Sequence, residues 1–159
     1  MAFDVTKLTA EEIEKAAKGL ADMSTIRELK GITDAEMEAI YSLGYSFYTT
    51  GRYDDAEKVF RFLVLFDHLN AKYWTGLGAV QQVKKLYGDA ISSYGYASFL
   101  DLDNPKPQYF AAECFLALGD KTNALSALAA LEEFCPKDKE LGREYLAKAA
   151  ALKAVIEKQ

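Results

Sequence analysis

Small and apolar residues return along this chain at a spacing of 34. Leu43–Gly44 becomes Leu77–Gly78 and then Ala111–Ala112. Ala56 returns as Ala90 and Ala124, and Phe60 as Tyr94 and Leu128. The frame Asp67-x-x-Asn70 returns as Asp101-x-x-Asn104. A fixed period of this length, with small residues at set places, predicts stacked helix–turn–helix units. One such unit cannot bury its apolar face alone, so neighbours share a continuous core and curve around a groove. The small residues let paired helices approach closely, from one side at 44, 78 and 112 and from the other at 56, 90 and 124.

This is the tetratricopeptide (TPR) pattern. It predicts an all-α solenoid of three helix–turn–helix repeats, at residues 37–70, 71–104 and 105–138. Gly51 and Gly119 suit left-handed stops for first helices, and the second helix of repeat one is expected to start near Asp54. Asn104 can cap a helix with Pro105 in its first turn, and Pro136 closes the third repeat. In repeat three, Gln108 and Ala111 replace larger apolar residues, so looser packing is expected there.

Residues 1–36 form a predicted N-terminal helical extension. Thr9-x-x-Glu12 is a capping box with Leu8 and Ile13 placed as its hydrophobic staple, and it opens a helix over Ala10–Leu20. Ser24–Leu29 reads as a short helical turn ending at Gly31, and Thr33-x-x-Glu36 is a second box with Ile32 and Met37 as its staple. Residues 139–159 are rich in Ala, Leu and Lys, which predicts a solvated C-terminal capping helix.

The first helix of repeat one carries two apolar faces. Ile40, Leu43, Gly44 and Phe47 form its packing set, while Tyr41, Tyr45 and Tyr48 lie at i, i+4 and i+7 on a separate stripe. Two readings fit the stripe: burial beneath the N-terminal extension, or the lining of a groove. Tyrosine suits a groove, because its ring gives contact area and its hydroxyl tolerates water. Tyr109 holds the position of Tyr41 in repeat three, and Lys72, Thr75, Ala79 and Gln82 are the equivalent lining of repeat two. The second helix of repeat one, Val59–Phe66, is apolar nearly all round. Phe62, Leu65 and Phe66 exceed what packing inside the repeat requires, so they are either covered by the extension or form a self-association patch.

Charge and composition narrow the chemistry. A net charge of −5 argues against nucleic acid as a partner. No run of 18 apolar residues is long enough to span a membrane, and the first residues lack the layout of a signal peptide. One histidine, His68, and two distant cysteines, Cys114 and Cys135, argue against a zinc site, and the cysteines read as small buried apolar residues. No Gly-rich phosphate loop is present, so no nucleotide cofactor is expected. The acidic pairs Asp54–Asp55 and Glu132–Glu133 are adjacent on helices and diverge, which argues against a catalytic dyad and an enzyme. TPR modules that clamp a terminal carboxylate use Lys, Asn and Arg where Tyr41 and Tyr45 stand here. A partner with apolar side chains in an extended segment fits better.

The stretch IYSLGYSFYTTGRYDDAEKVFRFLVLFDHLNAKYWTGLGA resembles the first repeats of the class II type III secretion chaperones. Further likeness lies in YFAAECFLALGD and in the helices before the array, so the resemblance spans about Ala10–Asp138. It implies a bacterial cytoplasmic chaperone, without ATP, that keeps hydrophobic translocators of the secretion needle soluble and apart. It implies binding of a short Pro- and Leu-containing segment in the concave face, with Tyr41, Tyr45, Tyr48 and Tyr53 forming pockets and Phe66, His68 and Tyr73 near them. It also implies a homodimer in the absence of cargo, through the N-terminal region and first repeat, at Phe62 and Phe66. Some members act with a transcription activator. The rival reading is a generic TPR scaffold joining two folded proteins.

Overall fold

The computed structural model describes residues 25–158. Among them lie eight helices and no strand. A short α1 (Ile26–Lys30) precedes three antiparallel pairs: α2 (Asp34–Thr49) with α3 (Tyr53–Phe66), α4 (Ala71–Val83) with α5 (Tyr87–Leu100), and α6 (Pro105–Ala117) with α7 (Lys121–Phe134). A last helix, α8 (Glu140–Glu157), closes the stack. The Thr9 box and the helix expected over Ala10–Leu20 lie outside the described residues.

Each boundary has a local cause. Thr33 and Glu36 exchange side-chain and backbone hydrogen bonds as a capping box, and Thr25 with Glu28 forms another that the sequence reading did not name. The Asn70 and Asn104 side chains accept from the backbone N–H of Lys72 and Lys106, at 3.1 and 3.2 Å. First helices end in a recurring left-handed residue: Gly51 and Gly119 at φ 77°, and Lys85 at φ 62°. The next backbone N–H then reaches back over the last turn, from Arg52 to Phe47, Leu86 to Gln81 and Asp120 to Phe115.

Close approach holds the pairs together. A Cβ on Gly44 would stand 2.9 Å from Val59 Cγ1, and one on Gly78 would stand 2.8 Å from Tyr94 Cδ1. Met37, Ala56, Phe60, Leu63 and Leu77 form the first core cluster, with Ile32 packed against it. Complete burial of side chains such as Met37 and Leu63 stabilises by roughly 1.5–3 kcal/mol each. The buried Asp67 accepts from Arg27 at 3.2 Å, which ties α1 to the end of repeat one.

Two packing expectations are corrected. Leu43 belongs to no core cluster; it is 49% exposed because no described element covers its face, whereas its repeat mate Leu77 is buried. Repeat three is looser only at Gln108, which lines a small hollow with Leu102 and Phe134. Ala111, Ala112 and Cys114 are buried, and Tyr145 of α8 packs edge-on to Tyr109 at 5.4 Å and to Phe110 at 6.2 Å. The last helix is therefore more than a solvated cap. Its Gly142, Tyr145, Ala149 and Ile156 are buried, and Gly142 lies directly against the Pro136 carbonyl, where a side chain has no room.

Candidate functional site

The concave side holds an open cleft of about 430 Å³. Tyr41, Tyr45 and Tyr48 of α2 form one wall, as the helical spacing of the stripe requires. Lys72, Thr75 and Ala79 of α4 form the other. Phe60 and Gly76 make the floor, and Asp101, Asn104, Lys106 and Phe110 complete the end formed by repeats two and three.

The wall is an aromatic array. Tyr41 stacks on Tyr45 with ring centroids 6.5 Å apart and meets Phe60 edge-on at 5.6 Å. The Lys72 ammonium sits 3.7 Å from the centroid of the Tyr41 ring and is held there by Glu38, at 2.8 and 3.0 Å. Burial pushes the Tyr41 hydroxyl above its ordinary pKa, with Lys72 opposing, and burial does the same to Tyr48. Both phenols are neutral at physiological pH, so this wall offers apolar faces and hydroxyl groups. Tyr45 is 55% exposed and stands at the mouth.

The remaining residues singled out by sequence lie elsewhere. Tyr53 packs edge-on behind Tyr48, at 5.8 Å. Tyr73 is buried beneath Tyr41, at 6.1 Å between centroids. Phe66 stacks on Phe62 at 4.1 Å, away from the cleft. His68 lies in a different hollow with Leu65 and Trp74, and its carbonyl accepts from Trp74 Nε1 at 2.8 Å. Tyr109 packs against Tyr145 and Phe110. Gln82 accepts from the Tyr94 hydroxyl at 2.7 Å and donates to Glu113 at 3.1 Å, and it does not line the cleft. Phe62 and Leu65 are 36% and 60% exposed.

Sequence reasoning missed Phe60 and Gly76 as floor, and Asp101, Asn104, Lys106 and Phe110 as an end wall. The period itself held the signal. Lys106 and Phe110 are the repeat mates of Lys72 and Gly76, so lining at one pair implies lining at the other.

Asp54 and Asp55 point to different cations, Lys84 at 2.6 Å and Arg52 at 2.6 Å, and hydrogen bonds from those cations hold both carboxyls below the usual range. Among the described residues no group of three or more His, Cys, Asp or Glu side chains could hold a metal ion. No described helix is long and apolar enough to cross a membrane.

Helix pairs repeating around a concave aromatic cleft define a TPR solenoid. The tetratricopeptide repeat family model matches residues 37–70 and 71–104. The chain is 36% identical over 132 residues to Low calcium response locus protein H of Yersinia pseudotuberculosis, across 81% of this chain and 79% of that protein. The solved structure of the Yersinia enterocolitica type III secretion translocator chaperone SycD is 34% identical, with a TM-score of 0.76 over 84% of this chain and 98% of that one. PcrH of Pseudomonas aeruginosa, solved with the chaperone-binding region of PopD, is 34% identical, with a TM-score of 0.72 over 80% and 96%. The chain belongs to the class II type III secretion chaperones, the translocator chaperones.

Proposed function

We propose that this chain holds an extended, apolar, Pro- and Leu-containing segment of a type III secretion translocator in its concave cleft. The observation that carries this reading is the open aromatic wall of Tyr41, Tyr45 and Tyr48 above the Phe60–Gly76 floor. Relatives support it: SycD was solved with a peptide of the translocator YopD, and PcrH with the chaperone-binding regions of PopD and PopB. A segment lying in the cleft keeps a membrane-inserting protein soluble and apart from its like by occupancy alone. No reaction is required, and the site of action is the bacterial cytoplasm, before secretion. Each aromatic contact filled contributes roughly 1–3 kcal/mol, so a few give micromolar affinity or better. Self-association in the absence of cargo, supported by the alternative dimer solved for SycD, runs through the exposed Phe62 and Leu65 with Phe66 stacked on Phe62.

Co-expression with a hydrophobic translocator tests the proposal. The wild-type chain is expected to keep the translocator in the soluble fraction and to co-purify with it. Tyr41→Ala with Tyr45→Ala is expected to weaken binding about tenfold or more while the helical circular dichroism stays intact. Unchanged affinity in a calorimetric titration would remove the tyrosine wall from the function.

A further inference from the structure

Lys72 and Lys106 occupy the same position of successive repeats, each the second residue of its helix, α4 and α6. The repeat therefore delivers both ammonium groups to the concave side, and both line the cleft. Among the described residues one carboxylate, Asp101, lines it with them. The whole chain carries 24 acidic against 19 basic residues, whereas the charged side chains that line the cleft are two lysines and one aspartate. Among the described residues no carboxylate lies within 4.0 Å of Lys106 Nζ. Lys72 is paired with Glu38, but their side chains are 46% and 58% exposed. An exposed pair of this kind exchanges readily for another carboxylate. In the same cleft, the aromatic wall and the Phe60–Gly76 floor offer an apolar side chain its place.

We infer that the segment held in this cleft carries an acidic side chain beside its apolar anchor, and that Lys106 and Lys72 select for it. The inference rests on the holding function proposed above and specifies its cargo. The acid is a side chain and not a chain terminus, because Tyr41 and Tyr45 take up two positions of the Lys, Asn and Arg clamp that a terminal carboxylate needs. Lys72 already lies over the face of Tyr41, so a cargo carboxylate that replaces Glu38 would meet the ammonium at the edge of the apolar pocket. Asp101, at the end of the cleft, penalises a second acid placed there.

The test uses the purified chain and labelled short peptides built on a Pro- and Leu-containing scaffold. Glu, Gln or Lys is placed in turn at each position flanking the leucine, and binding is read by fluorescence polarisation at low salt. At one flanking position Glu is expected to bind about three- to tenfold tighter than Gln, with Lys weakest. That ranking is expected to shrink as salt rises, to vanish in Lys72→Met with Lys106→Met, and to turn toward Lys in Lys106→Glu. Melting curves confirm that each variant is folded, and the neutral and charge-reversed variants check one another. Peptides that bind through Tyr41 and Tyr45 but rank Glu, Gln and Lys equally would overturn the inference and leave the holding function standing. A Glu preference that survives loss of both lysines would overturn it too. Wild-type protein that binds no peptide, or binds indifferently to Tyr41→Ala with Tyr45→Ala, would bring down the reading of the cleft and the inference with it.

Discussion

The ring of Phe60 lies in the space that a side chain at Gly76 would occupy: a Cβ there would stand 2.6 Å from Phe60 Cδ1 and 2.8 Å from Cζ. Phe60 comes from the second helix of repeat one and Gly76 from the first helix of repeat two, so their fit sets both the spacing between repeats and the depth of the cleft. The ring is rigid and 2% exposed, and it cannot move aside without disturbing Met37, Leu63 and Leu77 in its cluster.

Gly76→Ala is therefore expected to destabilise the chain despite alanine's better helix propensity. Relief of glycine's helical cost gives back about 1 kcal/mol, while overpacking costs about 1–3 kcal/mol. The expected net loss runs up to about 2 kcal/mol, read as a lower urea midpoint, together with weaker cargo binding. A variant as stable as wild type would mean that the Phe60 ring relocates freely.

Lys85 offers the opposite case. It is the only non-glycine residue with positive φ among the described residues, at 62°, and it stands where Gly51 and Gly119 stand in the neighbouring repeats. An L side chain in this conformation costs roughly 1 kcal/mol relative to glycine. Lys85 is exposed, so its side chain returns little packing. Lys85→Gly is expected to stabilise by about 0.5–1 kcal/mol in chemical denaturation, and Gly51→Lys to destabilise by a similar amount. A destabilised Lys85→Gly would show that the lysine side chain makes a contact worth more than the strain.

The architecture was legible because it depends on residues that recur. The period, the glycine stops and the Asn caps each act within one turn of chain, and local chemistry is enough to place them. The tyrosine wall was legible for the same reason, since i, i+4 and i+7 share a face on any helix. The floor was not. Phe60 reads as interior packing and is interior packing, yet its edge also meets the cleft because Gly76 in the next repeat uncovers it. Asp101 and Lys106 come from a turn and a helix start some 60 residues beyond Tyr41, and only the curvature of the stack brings them to it. Tyr73 and His68 follow the wall closely in sequence but face elsewhere. Tyr73 turns into the core, and His68 turns toward Trp74 in another hollow.

The two thiols are expected to be inert in the folded chain. Cys114 is fully buried, and burial pushes its pKa up to about 12, so little thiolate forms at pH 8. Cys135 is also buried, its pKa is raised by burial, and its thiol donates to the Gly142 carbonyl at 3.5 Å. Iodoacetamide at pH 8 should leave the native chain largely unmodified and label both sites in urea. Rapid stoichiometric labelling of Cys114 under native conditions would mean that repeats two and three open far more often than their packing implies.

A final prediction concerns acid stability, through the ions that join the first two repeats. Lys84 at the end of α4 reaches back to Glu57 and Asp54 on α3, at 2.6 Å from each, and Arg61 adds a second bond to Glu57. The hydrogen bond from Lys84 is the main reason that both carboxyls titrate below their ordinary values. A carboxyl whose folded pKa is depressed contributes stability above its unfolded pKa and loses it as pH falls through the folded value. Lys84 is shifted the other way, upward, chiefly by its bond to Asp54. Its contribution is complete below the ordinary lysine value and is lost as pH rises through the raised one, so it plays no part in the acid window. Glu57 is nearly buried, and its loss should be felt: Glu57→Gln is expected to cost about 1–2 kcal/mol at neutral pH. The same change should flatten the fall in stability below the ordinary glutamate range, as read from urea midpoints across acid pH. If wild type and Glu57→Gln trace parallel curves through that window, the Glu57–Lys84 bond does not couple the repeats.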